Sequence, residues 1–539
     1  MTTPAPTQPP RPASRRARWL LPLWCAVLTC AVLWPFLLTQ LNQLNQLGAD
    51  AAGAPSLVLR DMVVPHTMVL NDLATGRDGL PRAVPQDTVL AWLSPLIPPP
   101  VTVSVLMLAA GWVGALGAAA LARHVGGTRA AVAIAPAMTL WSPFVAERLL
   151  QGHWSVVAAG MLLPTVALTA MRGTRGSLPA LVLLMAVCAL TPTGLVLAAV
   201  TALVASGGLR RMAVVAGTAV VLALPWVVPT LLNAGASAAR SDAAGAALFA
   251  ARAEPGVGTL GALAGLGGIW NAEAVPASRE ALAPLSTGAG VVLAVAACVV
   301  AGVLVRRRTL RCVPLVCLAG LAVLLPAVAA TPPGVAVLGW FVENLPGAGL
   351  VRDTQKFVVL ALPGAVVLLA CGLRPTRRGT WAGLGVLLLV WAGVPALPRD
   401  VADVAPVQLD AAYAEASDEV ARWQEENGGT ARTLLWPPGS YRMVAGRPAL
   451  DPALKMVPGA PVDPGYLIVD GQLVDGDPDT VATLTELASG EDRLAERGVD
   501  LVLVQDGGDS DAADGADAVL GQHREIWASD GWRLYEVTE

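Results

Sequence analysis

Four strings of ionisable residues interrupt a chain that is otherwise strongly apolar. They are Arg60-Asp61 with His66, Arg82 with Asp87, Glu147-Arg148 with His153-Trp154, and Arg352-Asp353 with Lys356. A carboxylate within hydrogen-bond reach of a reacting group can take its proton, and Asp61 is the leading candidate for that work. Arginine presents a planar fork to anionic oxygens and lysine a point charge, so the basic members of these strings suit an anionic partner. Each string also has a plainer reading. Asp61 beside Arg60 suits a surface ion pair that orders a loop, and Glu147 beside Arg148 suits a structural pair tying two helices together. His153-Trp154 suits an interfacial anchor, because Trp favours the headgroup level. Asp87 suits an N-cap for a short helix over Thr88–Leu93.

The elements that must position these residues are membrane helices. The 539 residues have a mean hydropathy of +0.59, are 55% hydrophobic and only 14% charged, against about 25% charged in an ordinary soluble domain. Residues 1–18, rich in Pro, Thr and Arg, read as a disordered arm. The apolar run from Trp19 to about Thr39 exceeds a signal-peptide core and lacks a convincing cleavage site, so it reads as a retained first helix. Later spans fall at about 100–122, 129–146, 154–171, 177–190, 193–207, 211–231, 288–305, 312–329, 356–373 and 381–398. If the run 177–207 crosses twice, the clusters Arg123–Arg129, Arg172–Arg175, Arg210–Arg211, Arg306–Arg311 and Arg374–Arg378 all lie on the side of the basic N-terminus, as the positive-inside rule requires. The expectation is a mainly α protein of the plasma membrane, with about eleven helices over 19–398 and its N-terminus cytoplasmic. The loops 40–99, 232–287 and 330–355 then face outward, together with the short connection around Glu147–Trp154.

After Pro398 the composition changes. Residues 399–539 hold 28 of the 40 acidic residues and 10 of the 36 basic ones. A helix over Ala411–Asn427, a strand over Thr433–Trp436, a helix over Asp479–Arg497 and strands over Val499–Gln505 and Trp532–Val537 predict an extracytoplasmic α/β domain. The acidic tail argues against nucleic-acid binding. The short basic connections carry no phosphate-loop or dinucleotide fingerprint. The seven cysteines lie in or beside apolar spans and read as packing residues. The Asp/Gly-rich segment Asp506–Asp517 lacks the register of a calcium loop and reads as solvated. No metal constellation and no cofactor are evident.

Several strings carry a resemblance. Arg60-Asp61-Met62-Val63-Val64-Pro65, Pro81-Arg82-Ala83-Val84-Pro85-Gln86-Asp87, Ser142-Pro143-Phe144-Val145-Ala146-Glu147-Arg148-Leu149, Gly152-His153-Trp154 and Arg352-Asp353-Thr354-Gln355-Lys356 resemble those of actinobacterial membrane proteins of the GT-C glycosyltransferase class. The resemblance covers about residues 20–398. It implies a polyprenyl-phosphate sugar as donor and an envelope glycan, glycolipid or protein as acceptor. Asp61 would be the base, with Asp50, Asp72 and Asp87 sharing its loop as alternatives. Arg148, Arg352 and Lys356 would hold the lipid phosphate, and His153 the phosphate or the acceptor. A non-catalytic scaffold and a lipid or glycolipid transporter are the competing function classes.

Overall fold

A computed structural model describes residues 19–45, 54–77, 83–174, 176–232, 243–345, 347–462, 465–469, 472–505 and 513–538. The arm 1–18, Asp50, Arg82 and the first part of the segment Asp506–Asp517 lie outside these residues. Among the described residues, seven helices are long and apolar enough to cross a membrane: Pro99–His124, Arg129–Leu150, Trp154–Met171, Leu209–Leu232, Ala283–Arg306, Thr354–Gly372 and Arg377–Val404. Two further apolar helices, Ser177–Cys188 and Pro192–Ala205, have 12 and 14 residues, fewer than the roughly 20 of a typical crossing. The break between them falls at Thr191-Pro192, where proline opens the second helix at its first position.

The expected span 19–39 is bent within its length, and the expected span 312–329 is followed by a bend into a second helix in place of the start of the expected loop 330–355. Leu20–Val32 turns by 82° into Trp34–Gln43, and Val313–Ala329 turns by 90° into Pro332–Asn344. In both cases prolines sit in the first turn after the bend, Pro35 in one and Pro332-Pro333 in the other. A proline there has no N–H to extend the preceding helix, so a new helix starts in a new direction. The span expected to end at 146 continues to Leu150. Ser142 restarts it by accepting from the amide of Val145 at 3.3 Å, with Pro143 at the first helical position. Glu147 and Arg148 therefore sit in a helix and are fully buried, not in a loop.

At the centre of the helical part, Pro99–His124 packs closely on Trp154–Met171. A Cβ on Gly114 would overlap the carbonyl of Met161, so the two backbones approach as only a glycine permits.

The expected loop 40–99 contains structure of its own. Strands β1 (Pro55–Leu59) and β2 (Met62–Val64) form a hairpin with Arg60 and Asp61 at its tip. Strand β3 (Val407–Gln408), from the start of the C-terminal part, pairs antiparallel with β1. The C-terminal part then builds the helix Ala412–Asn427, β4 (Arg432–Trp436), and a hairpin of β5 (Tyr441–Val444) and β6 (Arg447–Leu450). β7 (Ala460–Val462), a hairpin of β8 (Tyr466–Val469) and β9 (Gln472–Asp475), and the helix Pro478–Ser489 follow. The chain ends through β10 (Leu501–Val504), β11 (Arg524–Ser529) and β12 (Trp532–Glu536).

Five strands form one sheet in the order β11-β12-β10-β4-β7, with β4 parallel to both its neighbours. Successive strand residues point to opposite faces. Leu501 and Leu503 thus pack with Ala416 and Val420 of one helix, while Val502 packs with Leu484 and Leu487 of the other. This covering of both faces explains the unbroken apolar run of β10. The expected helix Asp479–Arg497 ends early, at Ser489, where Gly490 takes a left-handed conformation.

The hairpin β1–β2 fastens the two parts together. The amide of Arg60 donates to the carbonyl of Pro448 at 2.7 Å, and the amide of Leu450 donates to the carbonyl of Arg60 at 2.9 Å. Val58, Val63, Val444 and Ala449 close a small apolar core across this seam. Lys455 of the C-terminal part pairs with Asp87 at 2.9 Å.

Candidate functional site

Asp61 owes its position to two left-handed backbone residues, one on each side of a close approach. Arg60 has φ +48°, which turns the hairpin tip, and Gly152 has φ +91°. A Cβ on Gly152 would overlap the amide of Met62 and lie 2.6 Å from the carbonyl of Leu59, so only glycine lets this turn meet the hairpin. The amide of Asp61 donates to the carbonyl of Gln151 at 3.1 Å, which completes the junction.

The Asp61 carboxylate is held from three directions. Oδ2 accepts from Gln151 Nε2 at 3.0 Å and lies 2.9 Å from His153 Nε2. Oδ1 accepts from the Tyr441 hydroxyl, supplied by the C-terminal part. Burial would push the Asp61 carboxyl up, but the bonds from His153, Tyr441 and Gln151 hold it below its usual range. The Tyr441 phenol moves the other way, raised by burial and by the neighbouring carboxylate, so it remains a donor.

The orientation of His153 follows from Arg148. Nη1 of Arg148 lies 3.1 Å from His153 Nδ1, and a guanidinium can only donate. Nδ1 therefore accepts, and Nε2 carries the hydrogen given to Asp61. Arg148 is in turn locked by a bidentate pair with Asp353, at 2.5 and 2.8 Å, and by Gln355 Oε1 at 2.9 Å from its Nε. Burial raises the Asp353 carboxyl, but Arg148 overcomes this and brings it to about 2. An ordered series of contacts thus runs from the C-terminal part through Asp61, His153 and Arg148 to the start of the helix Thr354–Gly372.

A cavity of about 1480 Å³ opens in front of Asp61, between the helix ends and the C-terminal part. Arg352 and Lys356 stand on its wall, beside an aromatic surface made by Phe249 and Trp270. Those two rings meet edge to face with centroids 4.6 Å apart, and the Arg352 guanidinium lies 4.1 Å above Phe249. Such a space joins the Asp61 carboxylate to the cations Arg352 and Lys356 and to an apolar wall. Among the described residues, no group of three or more His, Cys, Asp or Glu side chains is placed to hold a metal ion.

The structure brings most of the sequence candidates together. Arg60, Asp61, Asp87, His153, Arg352, Asp353 and Lys356 all line the cavity, and Arg148 stands directly behind His153. His66 is not among the lining residues. Its backbone amide donates to Ser56 Oγ at 3.0 Å, and burial lowers the titration of its ring. Trp154 is buried in the helical core at 2% exposure, which excludes an interfacial anchor at that position.

Three suggested local pairings are replaced by distant ones. Arg60 does not pair with Asp61 but donates to the carbonyls of Leu150 at 2.6 Å and Glu273 at 2.9 Å. Asp87 does not cap a helix, because the helix begins at Gln86, one residue earlier, and its carboxylate meets Lys455. Glu147 and Arg148 do not pair with each other, although the Gln355 side chain bonds to both. Glu147 accepts from the amide of Ile269 at 3.1 Å and lies 3.8 Å from Arg279, which is bound at 2.5 Å to Glu254. Adjacent residues in a helix project about 100° apart, so side chains at i and i+1 do not face each other.

Sequence reasoning did not find Tyr441, Gln151, Gln355, Arg279 or Lys455. Gln151 carried a usable signal, since it adjoins Gly152-His153. Tyr441 carried none, being 380 residues from the carboxylate it touches. Compared with known proteins, the chain matches no family model, no curated protein and no solved structure.

Proposed function

We propose that the protein is an integral membrane glycosyltransferase of GT-C type, moving a sugar from a polyprenyl-phosphate donor to an envelope glycan or glycolipid at the outer face of the plasma membrane. The observation that carries this reading is the placement of Asp61. It is an ionised carboxylate, fixed by three donors, at a cavity that also presents Arg352 and Lys356 beside the start of an apolar helix. In the reaction, the acceptor hydroxyl oxygen bonds to the anomeric carbon and its proton passes to Asp61. The bond from that carbon to the phosphate oxygen breaks, and the lipid phosphate leaves with the electron pair. Arg352 and Lys356 hold its charge where a lipid headgroup would lie. The rings of Phe249 and Trp270 offer an apolar surface to the sugar or the first isoprene units.

The same reading takes each bent pair and each short apolar helix as a crossing, which makes eleven. With the arginine clusters inside, the cavity and the C-terminal part face outward. The test is transfer of radiolabelled sugar from polyprenyl-phosphate mannose and arabinofuranose by membranes carrying wild-type protein or Asp61→Asn. Transfer that vanishes in a normally folded variant supports the assignment.

One observation favours a second reading, a scaffold without catalysis. Asp61 also joins the helical part to the C-terminal part through Tyr441. On that reading Asp61→Asn loosens the seam between the two parts and leaves envelope glycans unaltered.

A further inference from the structure

The C-terminal part does more than cover the cavity. Asp61 Oδ2 already accepts two hydrogen bonds, from His153 and Gln151, whereas Oδ1 accepts one, from Tyr441. A carboxylate oxygen offers two acceptor positions. Among the described residues Oδ1 therefore keeps one position, and Asp61 stands on the cavity wall with its side chain 28% exposed. That remaining position is where a hydroxyl in the cavity would deliver its proton. The Tyr441 hydroxyl, bonded to the same oxygen, fixes the direction in which it points.

Tyr441 is itself held firmly. It begins β5, whose hairpin is bonded on both sides of Arg60 through Pro448 and Leu450. The next residue, Arg442, reaches Gln505 Oε1 at 3.1 Å and Asp451 at 3.4 Å, anchoring the hairpin to the end of β10. The phenol thus sits on a braced strand and not on a free loop, as a positioning group requires.

We propose that Tyr441 is a positioning residue of the active site, orienting Asp61 Oδ1 toward the acceptor hydroxyl, so that the C-terminal domain completes the catalytic centre. This rests on Asp61 being the base. The site is then composite: the helical part supplies the carboxylate, its histidine and the phosphate-binding cations, and the C-terminal domain supplies the group that aims the carboxylate. An acceptor bound by that domain would be presented to a base that the same domain orients.

The test uses the full chain in detergent or membranes, with Tyr441→Phe, which keeps the ring and removes only the donor. Transfer at saturating substrates should fall about tenfold, the size expected for one hydrogen bond to a charged group, with both KM values within about twofold of wild type. Losing a donor destabilises the ionised carboxylate, so the Asp61 titration should move up by about one pH unit. That shift is read independently of turnover, from the infrared carboxyl band that is missing in Asp61→Asn. Met443→Ala, on the same hairpin but 70% exposed, should change neither quantity. If Asp61→Asn abolishes transfer while Tyr441→Phe leaves both turnover and titration unaltered, the role of Tyr441 is overturned and the glycosyltransferase reading survives. If Tyr441→Phe lowers only the melting temperature, the residue is a structural brace and the inference is lost. If Asp61→Asn retains full transfer, both fall together.

Discussion

Replacing Arg148 by methionine tests whether the series of contacts behind Asp61 is energetically real. Arg148 has no solvent exposure and Asp353 retains 9% on its side chain, so the substitution leaves a buried carboxylate without its main partner. Breaking such a pair from one side costs about 3–5 kcal/mol. The carboxyl itself supplies a second figure. Burial raises it, yet Arg148 brings it from 3.8 to about 2, a depression on the order of 2 kcal/mol. Lys356 also favours the charged form of Asp353 and would replace part of the loss. A value near the lower end, about 3 kcal/mol, is therefore expected at pH 7.

The pH dependence has a definite sign. A folded-state value below the unfolded one gives stability that is complete above about pH 4 and is lost as the pH falls toward 2. Wild-type protein should weaken across that window, and Arg148→Met should weaken much less. Unfolding in SDS, followed by tryptophan fluorescence, measures both effects. Adding Asp353→Asn to Arg148→Met should recover much of the loss, because the stranded charge is then gone. A single variant as stable as wild type, or a double variant no better than the single, would refute the reasoning.

Gly152→Ala should disturb the hairpin, since its Cβ meets backbone atoms of Met62 and Leu59 and its φ is +91°; the cost is at least about 1–3 kcal/mol, with loss of transfer, and an alanine variant of wild-type stability would show that the close approach is misplaced. Lys455→Met strands Asp87, whose side chain is 7% exposed, and should speed limited proteolysis near residues 400–406; restoring resistance with Asp87→Asn is the matching control, and unchanged cleavage would mean that the pair does not hold the seam. Lys356→Gln should raise the KM for the lipid-phosphate donor about tenfold and leave that for the acceptor unaltered; a change confined to the acceptor would reverse the assignment of the two substrates.

The sequence made the broad architecture visible because its signals are local. Long apolar runs gave the helices, and the apolar run of β10 with the nearby helix periodicity gave the C-terminal part its alternating elements. Bends were harder to read. Hydropathy counts residues along a line and does not register that Pro35 or Pro332 starts a helix at right angles to the one before. The candidate site was legible as a set of residues, and Asp61, His153, Arg148 and Asp353 do meet. Their pairing was not legible, because neighbours in sequence suggested Arg60 with Asp61 and Glu147 with Arg148. Charges adjacent on a helix or a tight turn diverge, and the partners that converge come from segments about 90, 200 and 380 residues away. Tyr441 illustrates the limit most sharply, since nothing in its own neighbourhood marks it as part of a site.

The separation between Asp61 and Tyr441 also has a meaning in time. A ribosome adds about 5–20 residues per second, so the carboxylate is made some 20–80 s before the hydroxyl that aims it, given the 380 residues between them. For most of that interval β1 lacks its partner β3, and throughout it the hairpin tip lacks Pro448 and Leu450. Once residue 356 has been made, a nascent chain inserting helix by helix holds Arg148, Arg352 and Lys356 but not its finished base. On the proposed function, chains that stall or are cut before residue 441 would lack the hydroxyl that aims Asp61 and would transfer sugar at no more than about a tenth of the full rate, so the last quarter of the chain completes a site that the rest begins.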